Sequence, residues 1–403
     1  MTVRAQIPYG AYWSTPFARW QGALSHLHSL KLAAHVAKAA LQARNFDPGV
    51  FDFGVLGMTR PERGSFYGLP WLMGLLGATA VGGPTVSQAC ASSVRALQTA
   101  AREIESGSSQ CALAIACDRT SNGPHIYYPS PQGSGGTGEA EDFILDNMAC
   151  DPFGSHSMVQ TAENVAAKFG VTLAQQHELV LRREEQYRQA LAQNNEFQKR
   201  YMALPFEVPD ARFRKTVARL QGDDGVRFST TEGLAALQPV IEGGTVTYGA
   251  QTHPADGNAA IVVANAERAR ELSKDKSVRI DVLGFGLSRA KLAYMPEAPI
   301  DAAARGLAAA SLKICDLHAI NTHNPFAVND LAFAKATGAD AMRMNNYGCS
   351  LVFGHPNGPT GMRSTIELIE ELVLRGGGNG LFVGCAAGDT AMAVVLRVDA
   401  RTR

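Results

Sequence analysis

The sequence lacks any apolar run long enough to span a membrane, so a membrane-inserted role is not expected. It carries no net charge either, because 37 Lys and Arg offset 37 Asp and Glu. A general attraction to nucleic acid or to an anionic membrane surface is thereby absent. No CxxC pair occurs, and the cysteines stand singly at positions 90, 111, 117, 150, 315, 349 and 385. Their odd number and scattered spacing argue against a disulfide framework or a structural zinc site, and no metal is expected. The opening stretch, Met1-Thr-Val-Arg-Ala-Gln-Ile-Pro8, has no apolar signal-peptide core. A reducing, cytoplasmic setting is the resulting expectation.

What is present is a core-rich chain of 403 residues, 46% hydrophobic and 18% charged, long enough for two or three domains. Forty glycines imply many tight turns and close backbone approaches. Residues 1–22 place Tyr9, Tyr12, Trp13, Phe17 and Trp20 among prolines and glycines and read as a strand and an ordered loop. Apolar spacing predicts a helix over Leu24–Arg44, a buried strand over Phe51–Met58 and a helix over Gly68–Gly77. Cys111–Cys117 is apolar throughout and predicts a strand covered on both faces.

The pattern changes over residues 119–155, which hold Asn122-Gly-Pro, Pro129-Ser-Pro and a glycine-rich run ending at Gly138. This excursion is too long for an ordinary connection. Helices are predicted over Met158–Phe169 and Leu173–Asn194, the second carrying Arg182, Arg183, Glu184, Glu185 and Arg188 on what reads as a solvated face. The basic run Ala211–Arg219 reads the same way. Later segments predict strands over Ala259–Ala264, Ser277–Gly284, Leu317–Thr322, Gly380–Cys385 and Ala391–Val398. Helices are predicted over Ala302–Ile314, Val328–Thr337 and Gly358–Arg375. Strand and helix alternate at both ends of the chain around an inserted middle, which indicates α/β layers on a mostly buried mixed sheet.

One stretch organises the chemistry. In Thr85-Val-Ser-Gln-Ala-Cys-Ala-Ser-Ser-Val94 a short β-prone run ends at Cys90, and helical spacing begins at once and closes at Gly107. Outward backbone N–H groups and the positive end of a helix dipole favour a thiolate there. A buried thiol used as a small hydrophobe is the other reading, and this stretch alone leaves both open. The last fifth of the chain adds His323 in Asn321-Thr-His-Asn-Pro-Phe326, His355 in a glycine-rich turn, and Cys385 at a strand end in Gly384-Cys-Ala-Ala-Gly-Asp389. A Cys/His pair suits acyl-thioester chemistry, and a second thiol can move a proton on carbon.

These motifs together resemble the thiolase family along most of the chain. Ser87-Gln-Ala-Cys-Ala-Ser-Ser93 resembles the segment bearing the acyl-carrying cysteine, and Gly354-His-Pro-Asn-Gly-Pro-Thr-Gly361 the GHPxGxxG signature. Gly384-Cys-Ala-Ala-Gly388 resembles the CxGG turn, and His323-Asn-Pro-Phe326 stands where thiolases carry NEAF or, in the sterol-carrier type, HDCF. The resemblance implies a five-layer αβαβα fold. Its two similar core halves would be 1–118 with 245–272, and 273–403, and a loop domain at 119–244 would bind coenzyme A. It implies a homodimer or homotetramer that cleaves a 3-ketoacyl-CoA through an acyl group on Cys90. His355 would act as base and Cys385 as acid. One oxyanion hole would come from the N–H groups of Cys90 and Ala387, the other from His323 and His355. Met158, Arg227 and Thr252 are the implied coenzyme A contacts.

Three departures stand out. His323 replaces the asparagine of NEAF, Cys90-Ala-Ser-Ser93 replaces CGSG, and Ala387 replaces a glycine. The excursion, with Tyr127, Tyr128 and Phe143, looks more like thiolases that act on bulky or aromatic acyl groups with a small zinc-ribbon/OB-fold partner subunit. Plain packing of those aromatics is the competing reading. A condensing enzyme of the ketoacyl or hydroxymethylglutaryl synthase kind, and a subunit inactive without its partner, remain as alternatives.

Overall fold

The computed structural model describes residues 4–121 and 123–400. Met1–Val3 of the N-terminal reading and Asn122 of the excursion lie outside the described residues. A six-stranded sheet runs Tyr12–Ser14, Ala255–Ala264, Cys111–Arg119, Phe53–Gly57 and Thr85–Val86, with Ala18–Arg19 paired to the 255–264 strand. A four-stranded sheet runs Val278–Arg289, Thr390–Ala400, Gly377–Ala386 and Ala319–His323. Both sheets are mixed. The 53–57 strand lies parallel to its neighbours on either side, and 319–323 lies parallel to 377–386, while the other pairs are antiparallel.

Between the sheets lie two helices, Ser92–Ser106 and Pro359–Leu374. Their apolar faces join strands of both sheets in one core that includes Val94, Leu97, Ile104, Ile366, Ile369 and Val394. Helices Ser29–Gln42 and Gly68–Leu76 cover the outer face of the first sheet. Ala298–Ala309 covers the outer face of the second. The order is therefore helix, sheet, helix, sheet, helix, as the five-layer expectation requires. The 298–309 helix approaches the second sheet closely because Gly286 has no side chain. A Cβ there would lie 1.9 Å from the Ala302 carbonyl oxygen.

Local rules account for most elements. Gly107, at φ 79°, caps the 92–106 helix where glycine tolerates the left-handed turn. Every residue of Cys111–Asp118 is buried, as its unbroken apolar run requires. Pro359 starts the central helix at a position whose N–H needs no partner. That helix is buried almost end to end, and its charged residues are paired inside: Arg363 with Asp223 at 2.6 Å, Glu367 with the Tyr201 hydroxyl at 2.6 Å, Glu370 with the Tyr12 hydroxyl at 2.6 Å.

Four expectations need correction. The first helix starts at Ser29 rather than Leu24, because Leu24 and Leu27 leave the helical path to pack on Phe206 and Val208 of a surface hairpin. The helix expected over 302–314 spans Ala298–Ala309, started early by Pro299. The helix expected to reach Asn194 stops at Ala190, and Gln193, Asn194 and Asn195 all take positive φ. The charged run on that helix is not a solvated face throughout. Arg188 is exposed, but Arg183 is fully buried and Glu184 nearly so. Arg183 bonds Asp330 at 2.8 Å and the carbonyls of Ala341 and Met344, while Glu184 accepts from Ser229.

Asp330 in turn accepts from Thr322, Asn324 and Asn345, so the Arg183 pair holds the loops around His323. Removing one partner of a buried pair leaves the other charge uncompensated. Arg183→Ala is therefore expected to lower stability by about 3–5 kcal/mol. Urea unfolding followed by circular dichroism checks this, and an unchanged midpoint would show that the pair anchors nothing.

Candidate active site

Four short segments bring the reactive side chains together: Cys90 and His355 line one cavity, while His323 and Cys385 are buried behind them and are not among its lining residues. Cys90 sits in the turn between the 85–86 strand and the 92–106 helix. Ala89, at φ 43°, takes the strained left-handed conformation that makes this turn sharp. Ser92 holds the turn closed, its Oγ accepting the Gln88 N–H at 2.8 Å and donating to the Ala89 carbonyl at 2.7 Å. Ser93 Oγ accepts the Met362 N–H at 3.0 Å and ties the elbow to the central 359–374 helix. The serine at position 93, where a glycine was expected, thus works as a strut.

His355 reaches Cys90 from the turn before the central helix. Its Nε2 lies 3.1 Å from the Cys90 Sγ, and its Nδ1 lies 2.6 Å from Thr360 Oγ1. With the proton on Nδ1 donated to Thr360, Nε2 presents a lone pair to the thiol. His323 ends the 319–323 strand and stacks on His355, ring centroids 4.0 Å apart, with its Nδ1 2.8 Å from Ser350 Oγ. Its Nε2 is buried without a hydrogen-bond partner among the described residues. Parallel register sets His323 opposite Gly384, which brings Cys385 to the same end of the sheet. Asn329 Nδ2 donates to the Cys385 Sγ at 3.2 Å.

Burial sets the protonation of this group. Loss of water pushes the Cys90 thiol up to about 11, although the Arg60 charge and the Ala387 N–H pull it down. Cys385 is raised still further, first by burial and then by Cys90. Burial lowers His323 to about 3. It also holds His355 well below the usual imidazole range, with His323, Arg60 and His253 adding to the effect. The resting site is therefore two thiols and two neutral imidazoles. The ligand atoms of Cys90, His323 and His355 lie within 4.8 Å of one another, a spacing that could also hold a metal ion.

Comparison with known proteins agrees with this geometry. Residues 11–267 match the family model described as thiolase, N-terminal domain, and residues 278–398 the model described as thiolase, C-terminal domain. The chain belongs to the thiolase family. It is 28% identical over 387 residues to the acetyl-CoA acetyltransferase of Escherichia coli (strain K12), covering 95% of this chain and 96% of that protein. Its fold superposes on human mitochondrial 3-ketoacyl-CoA thiolase with a TM-score of 0.89 at 25% identity, covering 98% of this chain and 100% of the other. The coenzyme A complex of that human enzyme gives 0.88 at 25% identity, covering 98% of each. This thiolase is accordingly an acyltransferase. No helix among its described residues is long and apolar enough to cross a membrane.

The cavity of this thiolase measures about 820 Å³ and is lined by Cys90, His355, Ala387, Met158 and Thr252 among others. Arg227 is exposed and is not among the lining residues. Thr252 does more than line it: its N–H bonds the Pro325 carbonyl at 2.7 Å and its hydroxyl bonds the Ser350 carbonyl at 2.5 Å, clamping the loop after His323. Ala387 needs no glycine, because the neighbouring Gly388 and Asp389 carry the positive φ of that turn, 78° and 57°. The excursion reaches the cavity through Ile144, Leu145, Met148 and Ala149. Tyr127 and Tyr128 instead face outward, 59% and 50% exposed, and neither lines the cavity nor packs a core.

Sequence reasoning missed the residues that orient the reactive ones: Thr360, Ser350, Asn324 and Asn329. Short polar side chains have no periodicity, so only their density in the motifs marked them. It also missed Arg60, whose signal was a charge three residues past the end of an apolar strand.

A neutral thiol resting beside a neutral imidazole has a chemical consequence. Because the folded thiol titrates near 11, the thiolate fraction grows with pH throughout the range below that value. Cys90 alkylation by iodoacetamide is expected to quicken about tenfold per pH unit from pH 7 to 10. A plateau already reached at pH 7 would reveal a preformed thiolate–imidazolium pair instead.

Proposed function

We propose that this thiolase cleaves a 3-ketoacyl-CoA bearing a large, mainly apolar acyl group, using coenzyme A as co-substrate. The observation that carries the reading is the 3.1 Å contact between the Cys90 thiol and the lone pair of a neutral His355, with a second buried thiol, Cys385, at the same sheet end. His355 takes the Cys90 proton as the thiolate attacks the keto carbon. The adjacent carbon–carbon bond then breaks, leaving the acyl group on Cys90. Cys385, a neutral thiol kept protonated by burial, gives its proton to the departing enolate. A coenzyme A thiol then passes its proton to the Cys385 thiolate and attacks the acyl-cysteine, and Cys90 leaves with the proton held by His355. The same groups run in reverse as a Claisen condensation.

Two oxyanion holes fit this path. The N–H groups of Cys90 and Ala387, both close to the Cys90 sulfur, would receive the oxygen of the acylated cysteine. His323 and His355 would face the other thioester oxygen, His355 once it holds the Cys90 proton, and His323 with the single Ser350 proton turned to its Nδ1 at 2.8 Å rather than to Asn324 Oδ1 at 3.1 Å, so that Nε2 bears the proton. Replacing the usual asparagine by His323 keeps a neutral donor, since burial prevents that ring from charging. The partition into halves 1–118 with 245–272 and 273–403, and a coenzyme A-binding loop domain at 119–244, is part of the same reading. Met158 and Thr252 would guide the pantetheine arm, and Arg227, at the surface, would meet the nucleotide end. A homodimer or homotetramer in the cytoplasm is expected of such an enzyme, and the outward Tyr127 and Tyr128 leave room for a small partner subunit.

Mass spectrometry of the protein incubated with 3-ketoacyl-CoAs of graded size tests the reading. An acyl adduct on Cys90 is expected. An adduct on another cysteine, or none with any substrate, would sink it. Cys385→Ala is expected to slow carbon–carbon cleavage by about 10²–10⁴-fold while Cys90 still accepts an acyl group from a simple acyl-CoA. Undiminished cleavage in that variant would assign the chemistry to a synthase-like site without a second thiol.

A further inference from the structure

Among the described residues that line the cavity, Arg60 is the one charged group, and the proposed reaction gives it no substrate contact. It follows Thr59 just past the 53–57 strand, and its side chain is almost completely enclosed. Yet the guanidinium is poorly served. Nη1 makes a long contact of 3.4 Å to the Pro356 carbonyl and lies 3.9 Å from Asp118 Oδ2. Nε and Nη2 are buried with no hydrogen-bond partner among the described residues. Three N–H donors of a buried cation are left open on the wall of the cavity that contains Cys90.

The acidic groups nearby do not fill them. Asp118 already accepts the Thr59 N–H, the Thr59 hydroxyl and the Gly358 N–H, each at 2.8 Å. Asp256 is occupied by the N–H and hydroxyl groups of Thr120 and Ser121. Glu62 accepts the Ser29 N–H and pairs with Arg119 and His28. These carboxylates balance the charge of Arg60 at a distance but leave its planar fork free. Much of the remaining wall is apolar, including Ile144, Met148, Ile241, Met295 and Phe326. A buried guanidinium with open donors is disfavoured unless an occupant supplies an acceptor, and a bidentate carboxylate matches its geometry.

We propose that Arg60 binds a carboxylate carried by the acyl part of the substrate, which makes this enzyme selective for 3-ketoacyl-CoAs that bear a second acidic group. The inference rests on the thiolase reading of the site and narrows its substrate class. The phosphates of coenzyme A are the other anions at hand, and position excludes them. Arg60 touches Pro356, next to His355, and so lies beside the reacting thioester, whereas the whole pantetheine arm separates that thioester from the phosphates. A substrate with a neutral end leaves the cation unpaired, and that penalty separates the two substrate types.

The test uses two 3-ketoacyl-CoAs of equal chain length, one ending in a carboxylate and one in a methyl group. Wild-type protein is expected to favour the acidic member in kcat/KM by on the order of 10²-fold. Arg60→Met is expected to abolish that preference, the acidic substrate losing on the order of 10²-fold more than the methyl-ended one, whose own change reports the loss of the Arg60 charge beside Cys90. A wild-type enzyme with no preference, or an Arg60→Met that slows both substrates equally, overturns the assignment. The second pattern would mean that Arg60 serves only Cys90. Failure of the thiolase reading looks different, because then neither substrate is cleaved and no adduct forms on Cys90. A measurement that needs no variant guards against misfolding. The Cys90 alkylation ratio of iodoacetate to iodoacetamide is expected to exceed that of a free small thiol by about tenfold, and an equal ratio counts against an anion site.

Discussion

The structure depends on two helices buried between two sheets. Ser92–Ser106 begins just after Cys90, and Pro359–Leu374 begins just after His355. Packing these helices against each other in the central core brings their N-terminal ends together and sets a nucleophile against a base 265 residues away. The Ser93-to-Met362 hydrogen bond fixes that alignment at the site itself. A central layer has no solvent face, so its polar residues must be paired internally. Arg363, Glu367 and Glu370 meet this requirement through Asp223, Tyr201 and Tyr12, drawn from outside the helix. The segment containing Asp223 is thereby attached to the layer that holds the site.

Dryness is the second consequence of that arrangement. Every titratable group around Cys90 is moved toward its neutral form: the thiols upward, the imidazoles downward. Neutral groups suit a reaction in which a proton leaves sulfur, carbon accepts one, and charge resides briefly on oxygen. In the proposed reaction, N–H donors that need not reorganise would stabilise that charge. Burial lowers Arg60 too but leaves it a cation, and its open donors would give the cavity the preference for an acidic acyl group proposed above.

Sequence and structure part at particular residues. Leu24 and Leu27 match a helical period but bury against a hairpin, because apolar spacing reports that a residue is covered without naming what covers it. Arg183 and Glu184 resembled surface charge because helical spacing cannot tell a solvated face from one packed on Asp330 and Ser229. Tyr127 and Tyr128 suggested pocket or core, yet they point outward, and Ile144, Leu145 and Met148 of the same excursion line the cavity. In each case the deciding contact comes from a segment distant in sequence.

The two short hairpins at 125–142 and 206–220 and the helix at 266–272 were not readable from the sequence. The order of most core strands and helices, the elbow at Cys90, its glycine-capped helix, and the motifs bearing His323, His355 and Cys385 were readable. Periodicity, capping residues and motif spacing are local properties, and each of these features is local. Tertiary structure alone decided which nitrogen faces which sulfur, that Thr360 and Ser350 orient the histidines, that burial keeps the whole group neutral, and that Arg60 stands open beside it. Those are properties of distance and solvent exclusion, and they exist only once segments hundreds of residues apart have packed around a shared cavity.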